Sequence, residues 1–284
     1  IQHIILELLD PFVHNGGGDF VHEVAMPLPI RVISGILGLS EQTTKQIRDL
    51  TEQIWASFGR EQNPAPLRAM LALLMSEVNE RRTHPGDDVL TTLVQTTIDG
   101  RLLRDEEVQS ILISFVVAGH ETTMNAAANL LYYVAGRPEE QERLRQYPAQ
   151  IPEVVEESLR YDTPAHLFAR TVTHDTMLGG VQMKPGDKVA LLLASGNRDP
   201  EQFNSPDQFM PDRKLAGQHL AFGRGIHLCS GATLARTELR LLLEALLNRY
   251  PSFRINGEVV WSHMEGGHHM GVRSLPITFL HPGN

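Results

Sequence analysis

Cys229 is the only cysteine among 284 residues, set in Ala221-Phe-Gly-Arg-Gly-Ile-His-Leu-Cys-Ser-Gly231 and followed by a stretch with helical texture. One thiol can form neither an internal disulfide nor a multi-cysteine metal site, so any chemistry it performs it performs alone. A helix start presents unsatisfied N–H groups that favour an anion, which drives a thiol there toward thiolate, the form that binds metal. Gly223, Gly225 and Gly231 let backbone pass close to a bulky object. The bland alternative is a buried cysteine used as a small hydrophobe; glycines on both sides and the helix start weigh against it.

A second cluster, Ala118-Gly-His-Glu-Thr-Thr123, interrupts the apolar run Ile111 to Val117. Burying Glu121 without a partner is costly, so its position needs a reason. Either the helix crosses a wet cleft, or the acid pairs with a basic group elsewhere, or Glu121 and the Thr122 hydroxyl manage protons beside a flat ligand that Ala118 and Gly119 admit. His120 fits a packing or solvent role better than ligation.

The spacing F-G-x-G-x-H-x-C-x-G, matched by Phe222, Gly223, Gly225, His227, Cys229 and Gly231, resembles the haem-binding loop of the cytochrome P450 family. The run A-G-x-[DE]-T resembles that family's acid-alcohol pair at Ala118, Gly119, Glu121 and Thr122. The resemblance implies that Cys229 is the proximal iron ligand of a non-covalently held heme b (iron protoporphyrin IX), with Phe222 beside the sulfur and His227 reaching a propionate. It also implies that Thr122 hydrogen-bonds the reacting dioxygen while Glu121 helps relay protons from water.

Glu157-Ser-Leu-Arg160 is weak alone, since such helical pairs contribute only a few tenths of a kcal/mol. Followed by Phe209-Met-Pro-Asp-Arg213, it resembles the family's Glu-Arg-Arg triad. Glu157, Arg160 and Arg213 are then structural residues that lock the cysteine loop to the helical core. Arg170 sits where the family places a propionate-binding arginine, and His166 and Leu167 would edge the substrate pocket. Asn197-Arg-Asp-Pro200 also matches a family segment, with a helix start and a turn as its expected job. His263, His268 and His269 with Glu265 invite a metal site, but Gly266 and Gly267 favour a hairpin turn. His269 or Met264 would touch substrate there.

The function implied is a haem-thiolate monooxygenase that inserts one oxygen atom of O2 into a small hydrophobic organic substrate using two external electrons. The alternatives are a non-catalytic haem-binding or sensor protein, or a peroxide-driven enzyme of the same fold. Retention of both Glu121 and Thr122 speaks against the peroxide route. No second cysteine and no G-x-G-x-x-G after a strand appears, so a ferredoxin-type or other electron donor is expected as a separate partner. Arg224, Arg236 and Arg240 would lie near the cysteine side, where an acidic ferredoxin could dock.

These groups must be positioned by a mainly α fold with small β-sheets, expected as one haem domain over 1–284. Within it, 1–103 holds early and substrate-covering helices, 104–161 a long central helix and its followers, and 162–284 β-rich segments, the cysteine loop, a proximal helix and a terminal sheet. Apolar periodicity predicts helices near 1–13, 20–38, 41–58, 65–82 and 87–98, with Gly16-Gly-Gly18, Pro64-Ala-Pro66 and Pro85-Gly86 as plain connections. The prolines of Val24-Ala-Met-Pro-Leu-Pro29 predict a helix that begins at Pro29 or is kinked.

Arg104 to Ala135 lacks proline and predicts a helix on the order of 48 Å long, at ~1.5 Å per residue. Pro138 to Arg145, Ile151 to Tyr161 and Cys229 to Arg249 complete the predicted helices. Arg170 to Thr173, Met177 to Met183 and Lys188 to Ala194 are predicted strands, and 252–284 a small terminal sheet. Ile1 opens on what looks like mid-helix, and the family's usual length implies a missing N-terminal quarter to third, which would hold the first sheet strands and further propionate partners. A formal charge of −9, and no basic run interleaved with aromatics, argue against nucleic-acid binding. No apolar run approaches the ~20 residues of a membrane span and no secretory leader opens the chain, so no membrane association and a cytoplasmic location are expected.

Overall fold

A computed structural model describes residues 1–56, 63–214, 216–262 and 269–280. Its axis is helix α6, Asp105–Ala135, 31 residues without a proline. The start is fixed by Glu107, whose carboxylate accepts from the Arg104 backbone N–H at 2.8 Å, and by acidic residues in the first turn that complement the helix dipole. The two ends of α6 belong to different cores. Val108, Leu112 and Val116 pack with residues of α2 (Pro27–Leu37), α3 (Glu41–Ala56), α4 (Ala65–Thr83) and α5 (Val89–Gln95). Met124 to Ala135 pack instead with α1 (Gln2–His14), α8 (Ile151–Tyr161) and α10 (Ala232–Arg249). The polar run at 118–123 lies where these cores meet.

The short strands surround this helical body. β1 (Gly17–Asp19) pairs antiparallel with β11 (Pro276–Phe279), which also pairs with β8 (Phe253–Ile255). The Gly16-Gly-Gly18 stretch is therefore a strand of the terminal sheet rather than a plain helix connection. Glycine makes that possible: at Gly17, φ is +114° and a Cβ would meet the Ile277 carbonyl oxygen at 2.0 Å. The predicted helix over 20–38 is a wide turn at Val21–Ala25 followed by α2 from Pro27, with both prolines in its first turn where no N–H is missed. Gly38, at φ +72°, closes it in the left-handed conformation.

The predicted helix over 87–98 ends at Gln95, and Thr97–Ile98 (β2) pairs with Arg101–Leu102 (β3). The stretch 177–183 is a hairpin, β5 (Thr176–Leu178) on β6 (Val181–Met183), turning at Gly179-Gly180. β4 (Leu167–Thr171) pairs with β7 (Lys188–Leu192), after which the chain enters the short helix α9 (Leu193–Gly196). α7 (Pro138–Gln146) follows α6, and β9 (Val260–Trp261) pairs with β10 (Val272–Ser274). Among the described residues no helix is long and apolar enough to cross a membrane.

Candidate functional site

The cysteine loop is shaped by its own backbone. Cys229 N–H donates to the Phe222 carbonyl at 2.8 Å, and Gly223 N–H to the Leu220 carbonyl at 2.8 Å. Gly223 has φ +68°, and a Cβ there would lie 3.2 Å from the His227 carbonyl oxygen, so the tight loop requires glycine. α10 begins at Ala232, which places Cys229 just ahead of the helix rather than inside it. Cysteine is among the residues most often buried, yet this thiol is exposed. Ile226, in the same loop, is 96% exposed.

Behind the loop the predicted triad is assembled. Arg160 Nε and Nη2 donate to Glu157 at 2.7 and 2.8 Å, and Arg213 Nε donates to both carboxylate oxygens at 3.0 and 3.2 Å. All three side chains are buried. Buried charges persist only when fully met, and here backbone carbonyls complete the set. Arg160 binds those of Asn197, Pro206 and Gln208, and Arg213 those of Ser205 and Gln208. The segment 197–213 is thereby wrapped around two guanidinium groups.

Asn197 adds a knot that its expected turn role did not include. Its amide donates to Thr163 Oγ1 at 2.6 Å and accepts from Leu220 N–H at 2.6 Å, tying the end of α8 to the start of the cysteine loop. An amide three residues past the apolar run Leu191 to Ala194 was the available signal.

On α6, Ala118 is exposed in mid-helix, and Phe115 one turn earlier is exposed as well. Thr122, half-buried on the same stripe, donates its hydroxyl proton to the Ala118 carbonyl at 2.7 Å. Glu121 points elsewhere. It is buried, takes Arg273 Nη2 at 2.5 Å on Oε1, and has His269 Nδ1 at 3.5 Å from Oε2. Burial alone would push its carboxyl up, but His269 and Arg273 together hold it below the ordinary carboxylate range. Arg273 is thus the distant basic partner that one of the readings of this acid expected.

Gly119 departs from the expectation that it admits a flat ligand. A Cβ there would meet Ile33 Cδ1 at 2.5 Å, so the space it leaves is taken by helix α2. His120 is buried with Nε2 3.1 Å from the Met26 carbonyl oxygen, a packing role, and burial lowers its pKa.

Arg170 lies on β4 opposite Val189, and its one side-chain hydrogen bond goes to the Ala169 carbonyl. Among the described residues neither Arg170 nor His227 makes an ion pair. His166 and Leu167 are half-buried, at the start of the β4–β7 ribbon, and burial lowers the His166 pKa. Ala165 bridges to His269, which brings the His166 segment to the Glu121 cluster. Met264, His263, Glu265, Gly266, Gly267 and His268 lie outside the described residues.

The cations expected to greet an electron donor are mostly engaged. Arg236 is held by Glu156 at 2.6 and 2.9 Å, and Arg240 by Glu244 at 2.8 and 3.0 Å. Arg224 is exposed and makes no ion pair among the described residues.

Among the described residues, no group of three or more His, Cys, Asp or Glu side chains could hold a metal ion. What the described residues do offer is one soft sulfur at Cys229, a guanidinium at Arg170 and an imidazole at His227 without ion pairs, and exposed apolar side chains such as Ile226 and Phe115. This composition fits a haem whose own ring supplies the other iron ligands. The comparisons agree. The cytochrome P450 family model matches residues 19–148 and 149–280, and the chain belongs to that family. Its cofactor is the family's protohaem IX with cysteine thiolate ligation.

Cytochrome P450 107B1 of Saccharopolyspora erythraea is 36% identical over 256 residues, covering 90% of this chain and 63% of that protein. Cytochrome P450 monooxygenase PikC of Streptomyces venezuelae is 36% identical over 284 residues, covering 98% of this chain and 68% of that protein. Crystalline CYP108D1 from Novosphingobium aromaticivorans superposes with a TM-score of 0.89 at 32% identity, covering 98% of this chain and 67% of that one. The chain thus spans about two thirds of the length of these relatives.

Proposed function

We propose that this protein is a haem-thiolate monooxygenase inserting one oxygen atom of O2 into a small hydrophobic organic substrate, with two electrons and two protons reducing the other atom to water. The observation that carries this reading is the exposed lone thiol of Cys229, in a loop preceded by a segment that a fully satisfied buried triad holds. Cys229 would ligate the haem iron, His227 and Arg170 would bind the propionates, and Phe222, Gly223 and Ala118 would contact the macrocycle. Once bound, the haem supplies the redox chemistry that activates dioxygen.

The chain's own residues handle the protons. Thr122 must give up its bond to the Ala118 carbonyl before Oγ1 can donate to a ligand in the pocket. Glu121, held ionised by His269 and Arg273, serves to orient and pass protons at Oε2 rather than to store one. His166 and Leu167 would edge the space for substrate. A ferredoxin-type donor would dock on the cysteine side through Arg224, since Arg236 and Arg240 are already paired. Cytoplasmic action in one haem domain belongs to the same proposal.

Thr122→Ala tests the proton assignment. The variant should keep its haem but divert electrons to hydrogen peroxide, read as peroxide formed per reductant consumed. Coupling equal to that of the parent would overturn the role. Absence of reductant consumption with any substrate would favour a binding-only protein.

A further inference from the structure

Glu156 stands one residue before the triad carboxylate on α8 and faces the cysteine loop from the other side. It holds Arg236 of α10 through both carboxylate oxygens, at 2.6 and 2.9 Å. His219, three residues before Phe222 and with its side chain 1% exposed, brings Nε2 to 3.2 Å from Glu156 Oε2. Because His219 Nδ1 accepts from the Ala221 N–H at 3.1 Å, a neutral ring carries its proton on Nε2, the nitrogen that lies nearer the carboxylate. The Arg236 guanidinium lies over the Phe222 ring, 4.4 Å from its centroid, and the His219 ring is 5.8 Å from the same ring. Phe222 in turn accepts the Cys229 backbone N–H at 2.8 Å.

We propose that Glu156 is a positioning residue for the thiolate: it fixes Arg236 on Phe222, anchors the loop through His219, and neutralises the guanidinium that lies over the ring of Phe222, whose carbonyl holds the Cys229 backbone. The assignment rests on the haem-thiolate reading. Glu157 and Glu156 thus divide the work, the first gripping the segment before the loop and the second the loop's two flanks. The hydrogen bonds to Glu156 raise the Arg236 pKa, and Glu156 is held down at about 2 because Arg236 and His219 outweigh its burial. A lone positive charge beside the thiolate would favour the reduced, more negative iron centre, and a lone carboxylate would disfavour it.

The test is the midpoint potential of the haem-loaded protein, measured by spectroelectrochemistry alongside the ferrous carbon monoxide spectrum. Glu156→Gln should raise the potential, Arg236→Gln should lower it, and the double variant should return near the parent. Glu156→Asp should stay closer to the parent than Glu156→Gln. Shifts of the same sign in both single variants, or no shift in either, would overturn the proposal, because loss of packing alone carries no sign. If Glu156→Gln does not retain haem, Arg236→Gln and the double variant decide by the same signs. A parent lacking the red-shifted thiolate spectrum would refute the haem-thiolate reading instead, which separates the two failures.

Discussion

Around Glu157 every buried charge is met: two arginines, a backbone N–H from Met210 at 2.8 Å, and carbonyls on the outer guanidinium nitrogens. Around Glu121 the opposite holds. Among the described residues, Oε2 has only His269 at 3.5 Å, His120 Nδ1 has no hydrogen bond, and neither amide atom of the fully buried Asn125 has one. Each orphaned group costs about 1–3 kcal/mol, a cost the cysteine side avoids at its triad. The difference teaches what each side must do. A ligating thiolate needs a loop with one conformation, whereas proton donors need partners they can leave.

Removing one member of the satisfied cluster should have the largest effect. Glu157→Gln leaves Arg160, 0% exposed, without its counter-charge, and a loss of about 3–5 kcal/mol is expected. Thermal melts and haem retention would report it. A melting point within a degree of the parent would remove the contrast between the two sides.

Glu238 sharpens the comparison, because among the described residues it makes no ion pair and sits on the cysteine side's own helix α10. It is 2% exposed, Oε2 has no hydrogen bond, and burial pushes it up to about 8. A carboxyl whose folded pKa is raised costs nothing below the unfolded value near 4.5, and the penalty grows as pH rises from there to 8. Glu238→Gln should therefore stabilise the protein by about 3 kcal/mol or more at pH 8 and by little at pH 4, in melts at both values. An equal effect at both pH values would show that the acid is paired.

The smallest expected change is at Asn125. Replacing its orphaned amide by an apolar group of like shape, Asn125→Leu, should be neutral or stabilising by about 1 kcal/mol in denaturant melts. A loss above about 2 kcal/mol would mean the amide is satisfied and the two clusters differ less than their hydrogen bonds indicate.

What was legible in the sequence follows physical range. The course of α6 could be read because periodicity without proline is a local signal, and the cysteine loop because its glycines and thiol are contiguous. The Glu157 triad could be read only through its resemblance to the family's Glu-Arg-Arg order, because Glu157 and Arg160 alone are an ordinary helical pair. Arg273, the partner of Glu121, lies 152 residues away with no pattern around it, so only the fold reveals the pair. Gly17 in β1 carries no side-chain alternation and resembled a connection until its partner β11 was in place. Arg236 and Arg240 looked free because nothing in their spacing reveals Glu156, 80 residues upstream, and the ordinary helical pair with Glu244 was overlooked. Gly119 looked like room for a ligand because a sequence does not say which neighbour fills a gap.

The most direct test of the account is the ferrous carbon monoxide spectrum of the haem-loaded protein beside that of Cys229→Ser. The parent should display the strongly red-shifted Soret band of thiolate-ligated haem, and the variant should lose it. A parent without that band, or a variant that keeps it, would contradict ligation by Cys229.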